Sequence, residues 1–185
     1  MKTCFGAAAI IFLALLPCHA AGASEGEGLV AEEIRGLSDS FFTRFNSNDP
    51  EGISALFHFP ARGSDQEAAR DKDAVIKAFE LCFAELGTIE HYHREQPSKT
   101  IFNFEITGGG LPCPGTGPAP VPLVFAAGFS RLKTGFVTIN WCRTASGWAI
   151  GSVAFGVPES DPDAQQVVKG LMKQTMHFVK ELSAP

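Results

Sequence analysis

The sequence predicts an α+β domain built in the order helices, antiparallel strands, helix. Three observations predict it. Apolar residues recur at three- and four-residue spacings between residues 29 and 86, the stripe of amphipathic helices. From Thr88 to Val157 the period becomes two, as half-buried strands require, and after Asp161 the helical spacing returns. With 45% hydrophobic and 19% charged residues in a chain of 185, there is enough apolar side chain for one globular core and too much for a disordered segment.

Each element has its own signal. Residues 29–47 place Ile34, Leu37, Phe41 and Phe45 on one helical face, and Asn46-Ser47-Asn48-Asp49-Pro50 stops that helix. Pro50 suits a first helical position with Asp49 as its N-cap, so Glu51 to Phe57 forms a second short helix, ended before Pro60. A third runs from Asp71 to Leu86 with Val75, Phe79, Cys82 and Leu86 on one face, and Gly87 is its C-cap. Strands follow at Ile89–Glu95 and Thr100–Thr107 around a Pro97-Ser98 turn, then at Leu123–Lys133, Phe136–Arg143 and Trp148–Val157. Thr144-Ala145-Ser146-Gly147 joins the last two as a hairpin. Between Gly108 and Pro122, ten of fifteen residues are Gly or Pro, which makes this a long loop. The final helix, from Asp161 to Leu182, carries Val168, Leu171, Met172, Thr175, Met176 and Val179 on one side.

The N-terminus reads as an export signal. Lys2 precedes an apolar run from Ala7 to Leu16, followed by Pro17 and the small residues Ala20-Ala21-Gly22-Ala23. That run is too short to span a bilayer, which takes about 20 apolar residues. Cleavage is expected after Ala23 or after Ala20, leaving no transmembrane segment in the mature protein. Cys18 offers the alternative of lipidation, against which Pro17 stands. Residues 1–23 are therefore the signal peptide, 24–28 a spacer, 29–157 the domain and 158–185 a C-terminal helical extension, with the protein secreted or periplasmic. A net charge of −5 and the absence of any basic cluster exclude a nucleic-acid partner.

In an oxidising compartment Cys82, Cys113 and Cys142 allow three disulfide pairings. Strand order favours Cys113 with Cys142, since the Gly/Pro loop starts at the sheet end where the strand 136–143 finishes. Cys82, on the apolar face of its helix, is expected to stay inert, although it lies close to the strand beginning at Thr88.

Four histidines follow the signal. His91 and His93 share one strand face, with Tyr92 on the other, and with His58 they raise the question of a metal. No third ligand is fixed beside the pair, so neither a metal nor any other cofactor is expected. Val137, Ile139, Trp141 and Arg143 share a face of the later hairpin, where Trp141 and Arg143 offer a flat or anionic ligand an indole and a guanidinium. No G-x-S-x-G motif or phosphate-binding loop is present.

Residues 29–157 resemble the nuclear transport factor two-like superfamily, which includes SnoaL-like cyclases and ketosteroid isomerase. The resemblance is carried by Phe41-Phe42-Thr43-Arg44-Phe45-Asn46-Ser47-Asn48-Asp49, by Ile53 to Phe57, and by the hairpin from Gly135 to Arg143 with Gly147-Trp148-Ala149-Ile150. It implies a strongly bent antiparallel sheet wrapped around the N-terminal helices to make a cone with an apolar cavity. It also implies a small apolar or amphipathic ligand as the partner; an alternative role is an interaction module in which the open sheet face, or the helix 161–182, packs against a partner or a second copy, since related proteins form a homodimer through the sheet face. A third role, acid-base catalysis, would draw on His58, Asp65, His91 or His93; Asp65 is the carboxylate that follows the second helix. Phe41 and Phe42 stand where the isomerase uses a tyrosine, a departure from its chemistry. A cavity floored by His or Asp would favour an enzyme, and one filled by Phe side chains an interaction module.

Overall fold

A computed structural model of the chain describes residues 34–59, 65–95, 101–108, 119–158 and 160–182. Its elements are α1 (Arg35–Asn46), α2 (Pro50–Ser54), α3 (Asp65–Leu86), β1 (Ile89–Arg94), β2 (Ile101–Thr107), β3 (Val121–Phe129), β4 (Gly135–Thr144), β5 (Gly147–Pro158) and α4 (Pro162–Leu182). The described residues thus form an α+β structure of four helices and a five-stranded antiparallel sheet. The signal peptide, the Pro97-Ser98 turn and Cys113 lie outside them.

Local chemistry sets the helix ends. Asp49 Oδ1 accepts a hydrogen bond from the Gly52 N–H at 2.8 Å, capping α2 with Pro50 in its first turn. Gly87 takes φ +76°, and an added Cβ there would lie 2.0 Å from Ser130 Oγ, so the turn from α3 into β1 requires glycine. Asp161 Oδ1 caps α4 by accepting from Ala164 N–H at 3.0 Å. Helix α3 begins at Asp65 rather than Asp71. Its first turns carry no buried apolar residue and so leave no periodic trace, while Asp65 and Glu67 suit a helix N-terminus.

The strand order is β1-β3-β4-β5-β2. Strands β1 and β2 follow one another in sequence yet occupy opposite edges, so they do not form a hairpin, and the sheet is not a simple meander. The β4–β5 hairpin, closed through Thr144 and Gly147, draws β2 to the free side of β5, where Phe104 pairs with Phe155 and Ile106 with Val153. Strand β3 ends at Phe129, four residues short of Lys133, because Phe129 N–H turns back onto the Leu132 carbonyl at 2.8 Å. Pro122, the second residue of β3, is tolerated because it precedes the stretch that pairs with β1.

Residues paired across antiparallel strands share a face. The inner face carries Phe104, Phe125, Val137, Ile139, Val153 and Phe155, all buried against the helices in one core cluster. Helix α4 joins the same cluster through Ala164, Val168 and Leu171, packing on α3, β2 and β5.

Candidate functional site

The interior is where a cone fold would hold a ligand, and here aromatic rings occupy it. Phe41, Phe42, Phe45, Phe79 and Phe155 are almost wholly buried. Their rings touch in a chain: Phe41 meets Phe79 at 6.0 Å between centroids, Phe79 meets Phe155 at 6.1 Å, and Phe155 meets Phe45 at 5.6 Å. The first two are edge-to-face contacts and the third is tilted; edge-to-face pairs add about 0.5–1.5 kcal/mol each beyond area burial, so they hold the rings in place. Most of the core Phe side chains are therefore packing.

Trp141 belongs to this core. It is 1% exposed, and its indole N–H donates to Ser38 Oγ at 3.2 Å while Ser38 Oγ donates to the Ile34 carbonyl at 3.1 Å. A buried indole and hydroxyl thus satisfy each other between β4 and α1. Arg143 lies past an irregularity in the β4–β5 register at Asn140/Trp141 and is exposed, with its guanidinium 5.2 Å from the Trp148 ring. The cation–π pair at the hairpin thus joins Arg143 to Trp148, with Trp141 below in the core.

The candidate acid-base residues occupy separate places. His58 is held by its backbone: its N–H donates to the Ile150 carbonyl at 2.8 Å, where Phe57 forms an isolated parallel bridge to β5. Asp65 is the exposed first residue of α3. His91 and His93 are exposed on β1. Since β1 is three strands from β5, and the register sets Gly156 rather than Ile150 across from His93, the latter pair and the His58 backbone are at least about 14 Å apart at the usual strand spacing. Among the described residues, no group of three or more His, Cys, Asp or Glu could hold a metal ion.

Tyr92 points the other way from the two histidines. Its ring stacks on Phe42 at 3.8 Å and its hydroxyl donates to Asp39 Oδ1 at 2.9 Å. Desolvation first, then the Asp39 hydrogen bond and charge, pushes its phenol above the ordinary range. Cys82, wholly buried, has its thiol pushed far up by desolvation, which makes it a poor nucleophile. Cys142 is buried on β4.

The outer face of the sheet is the surface on which a homodimer would form. One row across it reads Glu105, Ala154, Thr138 and Val124, with Glu95 at its end through a backbone bond to Val124. The next reads Asn103, Gly156, Phe136, Ala126 and His93. His91 pairs with Gly128, and its imidazole fills the space that a Cβ at Gly128 would take. Phe136, Val124 and Thr138 are half-buried, and neither Phe136, Val124, Ala126 nor Ala154 belongs to the core cluster or packs against it. Ser152, Ala154 and Gly156 of β5 are buried on this face, and Asn140 Nδ2 donates to Ser152 Oγ at 2.8 Å. The sequence did hold a signal: strand β4 alternates Val137, Ile139 and Trp141 with Phe136, Thr138 and Asn140, so its second face is only partly polar.

No protein-family model matches the chain, and no curated protein or solved structure is similar to it.

Proposed function

We propose that the chain is an exported interaction module that pairs with a second copy of itself through the outer face of its sheet. The observation that carries this is the contrast between the two faces. The inner face is filled by interlocked Phe rings, while the outer face presents Phe136, Val124 and Thr138 outside the core. Half-exposed apolar residues on a regular sheet favour burial against a matching surface, at about 25 cal/mol per Å2 of apolar area. A two-fold pairing of identical faces is the commonest way to supply one. The same contrast gives less support to a small apolar ligand inside a cone, since such a ligand would have to displace packed rings. Acid-base catalysis by His58, Asp65, His91 or His93 draws less still, because these residues are spread over α3, β1 and the connection after α2.

The export signal, the cone shape and the nuclear transport factor two-like relationship belong to this proposal, as does a disulfide from Cys142 to Cys113. The strand order supports that pairing. Thr107, Ser152, Asn140 and Pro122 lie in one row, so the chain between β2 and β3 leaves and returns at the sheet end where β4 reaches Cys142.

Sedimentation velocity of the exported protein tests the reading. The parent is expected to be a dimer at micromolar concentration, and Thr138→Arg, which puts a charge at the middle of the outer face, is expected to be a folded monomer. A monomeric parent, or a Thr138→Arg variant that dimerises as the parent does, overturns it.

A further inference from the structure

The outer face carries an uneven set of charges. At the β1 edge His91 and His93 project from it, with Glu95 Oε2 3.7 Å from His93 Nε2, and at the β2 edge stands Glu105. Between them the paired residues of β3, β4 and β5 are uncharged: Ala126, Gly128, Phe136, Thr138, Ala154 and Gly156. Above neutral pH, with imidazoles uncharged, this face is acidic at both edges, in a chain whose net charge is already −5. Two copies brought face to face then meet like with like. An imidazole gains its proton between about pH 8 and 5. With both histidines protonated, one edge is positive and the other negative.

Two-fold symmetry turns that polarity into complementarity. When identical sheets stack with the axis running along the strands, the β1 edge of one copy lies over the β2 edge of the other, and the central strands lie over each other. Aligned sheet packing keeps the strand directions within about 30° of one another, so this arrangement survives the ordinary twist. His91 and His93 of each copy then face the Glu105 side of its mate, twice over.

Resting on the docking proposed above, we infer that self-association through the outer face is acid-strengthened, with protonation of His91 and His93 against Glu105 of the second copy as the switch. The other ionisable groups near β1 do not share this role. Glu90 lies at the register irregularity of β1, and Glu95 is the carboxylate already next to His93. Arg94 pairs with the inner-face Phe125, and Tyr92 meets Asp39 of α1 on the helix side, where Arg44 pairs with Asp49. From β3, Val124, Ala126 and Gly128 bring no charge. In the turn after β3, Arg131 donates to the Ala84 carbonyl of α3, and Lys133 is exposed.

Sedimentation velocity of the exported parent, of His91→Gln/His93→Gln and of Glu105→Gln at about pH 7.5 and 5.5, with ionic strength held constant, tests this. The parent dimer is expected to tighten about tenfold or more on acidification, in line with close charge pairs at interfaces. The tightening should vanish in the double histidine variant and shrink in Glu105→Gln. The double variant keeps the other carboxylates, so it separates this switch from the general loss of net charge. A parent dimer equally tight at both pH values, or weaker in acid, overturns the inference and leaves the docking reading standing. Equal tightening in the double variant does the same, and a parent that stays monomeric at both pH values overturns both.

Discussion

Asn46 should be worth more to this protein than a helix-ending residue normally is. Its side-chain amide meets the backbone of Ile89 in both directions: Nδ2 donates to the Ile89 carbonyl at 2.9 Å, and Oδ1 accepts from the Ile89 N–H at 2.8 Å. Ile89 opens β1, an edge strand whose described partner is β3 alone. On that side the neighbouring bonds are made by Thr88, whose carbonyl accepts from Ser130 N–H at 2.8 Å, so the Ile89 groups point to the free edge. The amide of Asn46 thus does there what a further strand would do. A backbone hydrogen bond contributes about 0.5–1.5 kcal/mol net, and a poorly hydrated group left without a partner costs about 1–3 kcal/mol. Ile89 itself is 3% exposed, so water replaces the lost partners only in part. Asn46→Ala should therefore destabilise by about 2–3 kcal/mol, which for a chain of this size is roughly 5–10 °C in Tm. Asn46→Asp should recover part of the loss, since it keeps the acceptor for the N–H while facing the carbonyl with a second oxygen. Urea unfolding with an unchanged m-value is the measurement. An Asn46→Ala protein within about 0.5 kcal/mol of the parent, the range of ordinary surface substitutions, would refute the reasoning.

Two other outcomes are expected. Tyr92 is the single tyrosine of the chain, so tyrosinate absorbance near 295 nm reports on it alone; its titration should lie above that of the unfolded chain and move down in Asp39→Asn. Because the folded state holds the phenolic proton more tightly, stability from this group is intact below the unfolded-state value of about 10 and falls as pH rises beyond it, and Tyr92→Phe should remove that part of the alkaline slope. Peptide mapping of exported protein without reductant should recover Cys142 linked to Cys113, with Cys82 alkylated only after unfolding; a peptide joining Cys142 to Cys82 would contradict the burial of a free Cys82.

Element identity was legible in the sequence because it depends on local spacing. The stripes of Phe41, Phe45, Val75 and Phe79, the Asp49-Pro50 start and the Gly87 stop act within a turn or two of chain, and the structure places helices and caps at those positions. The first turns of α3 escaped for the same reason, having nothing apolar to bury. Sheet order was not legible, because period two says that a strand exists and which residues share a face, but not which strand lies beside it. That β2 crosses to the far side of β5 depends on pairings such as Phe104 with Phe155, made across some fifty residues of chain. The site divides along the same line. The sequence by itself determined that His91 and His93 share a face opposite Tyr92, since alternation along a strand requires it. Only the tertiary structure decided that this face also carries Glu105, Thr138 and Phe136, that Trp141 turns inward to Ser38, and that His58 belongs elsewhere. Those relations join residues distant in sequence, and only the packing of one strand on the next brings them together.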